Sequence, residues 1–192
     1  YYSLAAKSNH PKALYNLGML YGETHDINKA IYYFTLAANQ NDSKAQFNLG
    51  TIYDEGQYVK RNINKAIYYY SLAANQNDPE AQFNLGLIYY KGLDVERDIN
   101  KAINYYSMAL KQNHSNALCN LGVIYAEGKY VTRDISKAIH YFTLSANQNN
   151  SNAQFNLGII YYDGRYITPD FNKAFHFLTL SANQNNSEAQ FK

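Results

Sequence analysis

The chain of 192 residues carries 17 basic and 15 acidic side chains, which gives a formal net charge of +2. The charges are scattered singly, so neither a nucleic-acid footprint nor a basic membrane patch is indicated. One cysteine, Cys119, excludes an internal disulfide framework and a cysteine-built zinc site. The longest apolar stretches are far shorter than the ~18 residues that span a bilayer.

A short segment built around Ala, Asn, Leu and Gly recurs along the chain at a regular spacing. It first appears as ALYNLGMLYG at Ala13, and from Ala45 onward its copies start 36 residues apart. The later copies start at Ala81, Ala117 and Ala153, and a truncated one starts at Ala189. A period in this range is typical of stacked supersecondary units, and such arrays usually bind other molecules rather than transform them.

Residues 78–113 serve as the type unit, and their pattern predicts two helices. The first helix has Asp78 as its N-cap and Pro79 at its first position, and it ends at Gly92, a left-handed C-cap. The equivalent N-caps are His10, Asp42, His114, Asn150 and Asn186, and the equivalent glycines are Gly22, Gly56, Gly128 and Gly164.

The second helix of the unit is predicted to begin at Asp98 and to end near Asn113. Its apolar residues recur at steps of three and four, as expected for one buried helical face. Asparagine tolerates the left-handed conformation that a helix exit requires. The equivalent N-caps of the other units are Asp26, Asn62, Asp134 and Asp170. Each unit is therefore predicted to be an antiparallel helical hairpin.

Two irregularities have local explanations, and the second of them supports this assignment. Gly86 and its equivalents lie inside the first helix, where glycine costs ~1 kcal/mol relative to alanine. We expect close packing of the two helices at this point, with alanines such as Ala102 opposite the glycine. Four residues are also missing between Gly18 and Ala30, and we place this deletion in the loop between helices, where length changes are tolerated.

The recurring residues resemble the Sel1-like repeat, a relative of the tetratricopeptide repeat. The resemblance rests on A-x-x-x-L-G-x-x-Y, a loop glycine, an acid, and then KA-x-x-aromatic-aromatic-x-x-A-A, and it covers essentially the whole chain. It departs from the family at three points: one loop glycine in place of two, Tyr or Phe for a frequent Trp, and Asn for a glycine after the second helix. These changes preserve aromatic packing and turn chemistry.

The resemblance implies an all-α fold, a right-handed α-solenoid (superhelix) of about five hairpins whose first helices line a concave face. We expect a single domain over 1–192, with repeats at roughly 10–41, 42–77, 78–113, 114–149 and 150–185 and partial repeats at both ends. The missing initiator Met and the truncated ends favour a segment of a longer chain. The compartment stays open between the cytoplasm, which we favour slightly, and a secretory setting.

One asparagine per repeat is the leading candidate for partner contact. An amide both donates and accepts hydrogen bonds, so a row of amides suits the backbone of an extended peptide, as in related tetratricopeptide arrays. The alternative is a surface residue or a bond to a neighbouring repeat. The candidates are Asn16, Asn48, Asn84, Asn120 and Asn156.

Aromatic and variable positions beside these asparagines are further candidates. The row formed by Tyr15, Phe47, Phe83, Cys119 and Phe155 could anchor a partner, although partial burial between repeats is the simpler interpretation. Cys119 in this row is interpreted as a small apolar substitute rather than a reactive thiol. The most variable positions include Tyr90 and Tyr162, and we expect partner specificity there.

The paired histidines and the sequons do not indicate a binding site. His140 and His176 occupy equivalent positions without a third ligand, so no metal is predicted, and no cofactor motif occurs. The four Asn-x-Ser sequons at Asn41, Asn113, Asn149 and Asn185 are interpreted as turn chemistry.

The resemblance and these residues predict a scaffold or adaptor that binds a protein or peptide. The alternative is a non-catalytic regulatory region of a larger enzyme or complex. An enzyme is not predicted, because no catalytic constellation appears. RNA binding is disfavoured, because the chain lacks the cationic surface that neutralises phosphates.

Overall fold

The computed structural model describes residues 10–190, and these residues form helices and no strand. The partial repeat expected at residues 1–9 lies outside the described part of the chain. The helices are α1 (Pro11–Glu23), α2 (Ile27–Ala38), α3 (Ser43–Glu55), α4 (Ile63–Asn75), α5 (Pro79–Lys91), α6 (Ile99–Leu110), α7 (Ser115–Glu127), α8 (Ile135–Ala146), α9 (Ser151–Asp163), α10 (Phe171–Asn183) and the short α11 (Ser187–Gln190). The predicted all-α class is confirmed.

The contacts divide the chain into two compact units, residues 1–105 and residues 106–192. In the first unit α1 packs against α2 and α3 against α4, while α2 contacts α3 and α4 contacts α5. In the second unit α7 packs against α8, α8 against α9 and α9 against α10. Each unit is thus a stack of helical hairpins. That the whole chain acts as one domain stays a prediction.

Side-chain caps begin most of the described helices, as the sequence predicts. Asp78 accepts a hydrogen bond from the Ala81 backbone N–H at 2.9 Å, and His114 does the same through Nδ1 for Ala117 at 3.2 Å. Such a cap satisfies one of the unpaired N–H groups of the first turn. His10 is an exception, because its side chain makes no capping bond to α1.

A residue in the left-handed backbone conformation follows most helices of the hairpins. Gly56, Gly92, Gly128 and Gly164 have φ between 60° and 68° at the ends of the first helices. Asparagines take the same conformation after the second helices, with φ between 58° and 63°, at Asn41, Asn77, Asn113, Asn149 and Asn185. The predicted left-handed conformation is confirmed at these glycines and asparagines.

The shortened first loop changes how α1 ends. Gly22 lies inside α1, and the helix is capped at Thr24, so the prediction that Gly22 is a left-handed C-cap was wrong. The left-handed residue is instead His25, with φ of 60°. Only residues 24–26 join α1 to α2, whereas residues 56–62 join α3 to α4. The four missing residues therefore fall in the loop, as predicted.

A stack of two aromatic rings and a lysine joins the helices of each hairpin. In the second hairpin the rings of Tyr53 and Tyr69 are stacked 6.0 Å apart, and the Lys65 ammonium lies 4.6 Å from the Tyr53 ring centroid. Aromatic pairs and cation–π contacts of this kind add to the energy of area burial. The other stacked pairs are Tyr21–Tyr33, Tyr89–Tyr105, Tyr125–Tyr141 and Tyr161–Phe177.

Three mid-helix glycines, Gly18, Gly50 and Gly122, lie against a ring of the second helix. A Cβ on Gly50 would fall 2.5 Å from Cδ1 of Tyr70, and one on Gly122 would fall 2.6 Å from Cδ1 of Phe142. Close packing was predicted, but the residue opposite the glycine is this aromatic rather than the alanine of the KA pair. In the fifth hairpin Leu178 takes the place of the ring.

Buried glutamines tie consecutive hairpins together, and the sequence analysis did not identify them. Gln46, 1% exposed, donates through Nε2 to the Ala38 carbonyl at 3.2 Å and accepts from Gln76 Nε2 at 2.7 Å. Gln154 makes the same two bonds, to the Ala146 carbonyl and from Gln184. Because a buried amide is costly without partners, these bonds fix its side chain.

Candidate partner-binding site

The structure places the five candidate asparagines at equivalent, half-buried positions on the first helices. They are Asn16, Asn48, Asn84, Asn120 and Asn156. Each lies one residue before a buried leucine, so the helix geometry directs its amide to the border between the core and the surface.

Two of these asparagines line one open depression between α7 and α9. The depression measures about 300 Å³ and is also lined by Cys119, Val123 and Phe155. Asn120 Nδ2 donates to the Tyr106 hydroxyl at 3.1 Å, and the Asn156 amide contacts the Cys119 thiol. Each amide is therefore held by the hairpin that precedes its own, and both amides border the same depression.

Two other asparagines also contact the preceding hairpin. Asn48 Nδ2 lies 3.7 Å from the Met19 sulfur, and Asn84 lies beside the Tyr70 hydroxyl. Burial raises the pKa of Tyr70 to about 12, against the opposing effect of hydrogen bonds to Thr51 and Asn84. Bonds to a neighbouring repeat thus account for part of the asparagine recurrence.

The aromatic row packs partly into the core. Phe47 lies 5.8 Å from the Tyr70 ring, and Tyr15 lies 5.9 Å from the Phe34 ring, each at a tilted angle. Phe83 and Phe155 are half-buried like Phe47. Tyr15 and Phe47 thus join the two helices of their hairpins, and all four rings expose only part of their surface.

The two variable tyrosines differ in exposure. Tyr162 is 60% exposed and meets Phe171 edge to face at 6.1 Å. Tyr90 is half-buried. A ring as exposed as Tyr162 has surface available for a partner, because little of it is used in packing.

Arginines in the loops form contacts that the sequence analysis missed. Arg61 pairs with Asp54 of its own hairpin at 3.0 Å and with Asp94 of the next at 2.8 Å. In the second unit Arg133 donates to the Glu127 carbonyl and to the Tyr166 hydroxyl. The recurrence of an arginine every 36 residues, at 61, 97 and 133, was the available signal.

The lone cysteine is buried and its thiol is protonated at neutral pH. Cys119 is 5% exposed, and burial raises its pKa to about 11, although the Asn156 amide opposes this effect. A thiolate is the nucleophilic form, so this environment suppresses reactivity.

Other groups named by the sequence analysis are dispersed on the surface. His140 and His176 are exposed, and each contacts the aromatic residue that follows it. Among residues 10–190, no three His, Cys, Asp or Glu side chains are grouped to hold a metal ion.

No helix in the described part of the chain is both long and apolar enough to cross a bilayer. The sequon asparagines are exposed in the left-handed turns.

Comparison with known proteins identifies the repeat. The Sel1 repeat model matches residues 11–42, 43–78, 79–114, 115–150 and 151–186. A protective antigen of uropathogenic Escherichia coli strains, which displays an SLR fold, is 34% identical with a TM-score of 0.92. That match covers 98% of this chain but only 41% of the antigen.

Two further solved structures are similar. A Sel1 repeat protein from Oxalobacter formigenes is 33% identical with a TM-score of 0.83, over 95% of this chain and 76% of that one. Helicobacter pylori cysteine rich protein B is 26% identical with a TM-score of 0.52, over 67% of this chain and 92% of that one. No curated protein sequence matches. Since five adjoining matches extend from residue 11 to residue 186, the chain belongs to the Sel1 repeat family.

Proposed function

We propose that this chain is a non-catalytic scaffold that holds an extended peptide or partner segment along the first helices of its repeats. Sel1 repeat proteins generally bind other proteins and are generally non-catalytic. The observation that supports a site on the first helices is the depression between α7 and α9, where Asn120 and Asn156 lie together.

The asparagine amides have the chemistry that a peptide backbone requires. Asn120 uses one N–H toward Tyr106, so a second N–H and the Oδ1 oxygen remain for a bound carbonyl and amide. The bond to Tyr106 also fixes the amide before binding, which lowers the entropic cost of association. A contact to the neighbouring repeat is thus compatible with a ligand contact.

The remaining candidates occupy equivalent positions on the other first helices. We assign backbone contacts to the asparagines at 16, 48, 84, 120 and 156. Specificity is assigned to the candidate aromatic side chains, among which Tyr162 is the most exposed. Phe47, Phe83, Phe155 and Tyr90 contribute their partly exposed edges, as aromatic anchors commonly do at interfaces.

Binding of linear peptides tests this proposal. Peptides that bind the wild-type protein are selected from a displayed library of random sequences. Their affinities for each variant are then measured by isothermal titration calorimetry. For Asn120→Ala/Asn156→Ala we expect a loss of about tenfold or more, because two hydrogen bonds to the ligand disappear.

A matched pair of exposed asparagines on second helices provides the control. Asn64→Ala/Asn172→Ala should bind the selected peptides like the wild-type protein. Circular dichroism shows whether each variant is folded. Equal affinities of the folded Asn120→Ala/Asn156→Ala variant and the wild-type protein would remove the asparagines from the binding site.

A further inference from the structure

Grooves recur between the loop end of one hairpin and the first helix of the next. One such groove, between the second and third hairpins, has a volume of about 100 Å³ and includes Arg61 in its wall. Another, between the fourth and fifth hairpins, measures about 310 Å³ and includes Arg133 and Arg165. In both grooves loop arginines supply positive charge.

The groove between the first and second hairpins, which we call the first groove, has no arginine in its wall. At the position of that arginine the first hairpin has His25, which precedes the N-cap Asp26 as Arg61 precedes Asn62. The first groove measures about 360 Å³, and Met19, Ile27, Phe34 and Ile52 form its apolar lining. Met19 is 39% exposed although it is an apolar residue. The first groove is therefore an apolar groove that is open to solvent.

Two carboxylates border this apolar lining. Glu23 and Glu55 are the last residues of α1 and α3, and both are exposed in the wall of the first groove. Neither forms an ion pair with a cation of residues 10–190. In the groove of the fourth and fifth hairpins the equivalent Asp163 pairs with Arg165. Only in the first groove, of these three, are the carboxylates left without an arginine.

We infer that the first groove binds a partner segment in which a large apolar side chain adjoins a lysine or arginine. The inference rests on the proposed function and specifies the chemistry of the partner at one place. The apolar side chain would be buried against Phe34 and Ile52, where removal from water provides the driving force. The cation would lie between Glu23 and Glu55, and Asn48 in the same wall would contact the backbone.

Short synthetic peptides with defined sequences test this inference. Three fluorescein-labelled peptides share a Gly/Ser frame and differ at their centre, which is Leu-Lys, Leu-Glu or Ser-Lys. Fluorescence anisotropy should give an affinity for the Leu-Lys peptide about tenfold higher than for either of the others. The preference over Leu-Glu should weaken at high salt, because exposed charges are screened.

Substitution of the two carboxylates assigns the effect to the first groove. Since both side chains are exposed, Glu23→Gln/Glu55→Gln should fold normally and should no longer distinguish Leu-Lys from Leu-Glu. The matched control Glu127→Gln/Asp163→Asn carries the same changes at the equivalent ends of α7 and α9 and should retain the preference.

The outcomes separate this inference from the proposed function. Equal binding of the three peptides, or a charge preference that survives Glu23→Gln/Glu55→Gln, would overturn the inference about the first groove. Neither result bears on peptides selected from the random library, whose binding depends on Asn120 and Asn156. Conversely, those two asparagines could prove dispensable while the first groove still selects Leu-Lys.

Discussion

The ring of Tyr70 occupies the space that a side chain at Gly50 would need. A Cβ on Gly50 would lie 2.5 Å from Cδ1 and 2.9 Å from Cγ of Tyr70. Because Cγ is close to the backbone of α4, the ring has no inexpensive way to move aside. The glycine is thus explained by the aromatic residue of the partner helix in the hairpin.

Substitution of this glycine should destabilise the protein. For Gly50→Ala we expect a loss of about 1–3 kcal/mol in the free energy of unfolding from overpacking, after the ~1 kcal/mol gain in helix propensity. Gly22→Ala is the control, since among residues 10–190 no atom beyond its chain neighbours and its own stretch of α1 lies within 4 Å of a Cβ at that position. It should stabilise by about 0.5–1 kcal/mol. Urea unfolding of both variants checks this, and shifts of the same sign would contradict it.

The hydrogen bonds of the buried Gln46 amide should stabilise the folded protein. Gln46→Ala removes the bonds to Ala38 and Gln76 and leaves a cavity, so we expect a loss of about 2–4 kcal/mol. Gln46→Leu should cost less, because buried leucines fill the same position at Leu14 and Leu118. Thermal unfolding of the two variants checks the order. A larger loss for the leucine variant would show that the amide bonds dominate over packing.

Alkaline pH should destabilise the protein partly through Tyr70. Its pKa is raised from 10.0 to about 12 by burial, so the folded state keeps the phenol proton at a pH where the unfolded state loses it. Stability from this group is complete below pH 10 and is lost as the pH rises from about 10 to 12, by up to roughly 2–3 kcal/mol.

Tyr70→Phe separates this contribution from other titrating groups. Phenylalanine already occupies the equivalent buried positions at Phe34 and Phe142, so the variant should fold. Urea unfolding between pH 9 and 12 should show a shallower loss of stability for the variant than for the wild-type protein. Parallel pH profiles for the two proteins would contradict the assignment to Tyr70.

Cys119 should react slowly with thiol reagents in the folded protein. Its burial and its pKa of about 11 keep the thiolate fraction small near neutral pH. Labelling with a chromogenic disulfide reagent should be slow in buffer at pH 8 and fast in urea. Equal rates under the two conditions would show that the thiol is accessible in the folded state.

Much of this fold follows from local sequence signals. Asp78, Gly92 and Asn113 act on backbone within a few residues of themselves, so their roles as caps and turns were predictable. The position of the four-residue deletion followed from the same signals. The prediction that Gly22 is a left-handed C-cap was wrong because the shortened loop moves the left-handed residue to His25.

Contacts between residues far apart in the chain were less accessible to sequence reasoning. The pairing of Arg61 with Asp94 joins residues 33 apart, and the bond from Gln76 to Gln46 joins residues 30 apart. Neither pair has a local signature. The aromatic partner of Gly50 depends on the rotation of one helix against the other, which periodicity alone does not fix.

The side-chain amide signals of the asparagines provide the most direct test of the proposed site. In a two-dimensional nitrogen–proton spectrum, a peptide selected from the random library should shift the amide signals of Asn120 and Asn156. The signals of Asn64 and Asn172, on second helices, should stay in place. Binding that shifts the second-helix signals and leaves those of Asn120 and Asn156 unchanged would contradict a peptide site on the first helices.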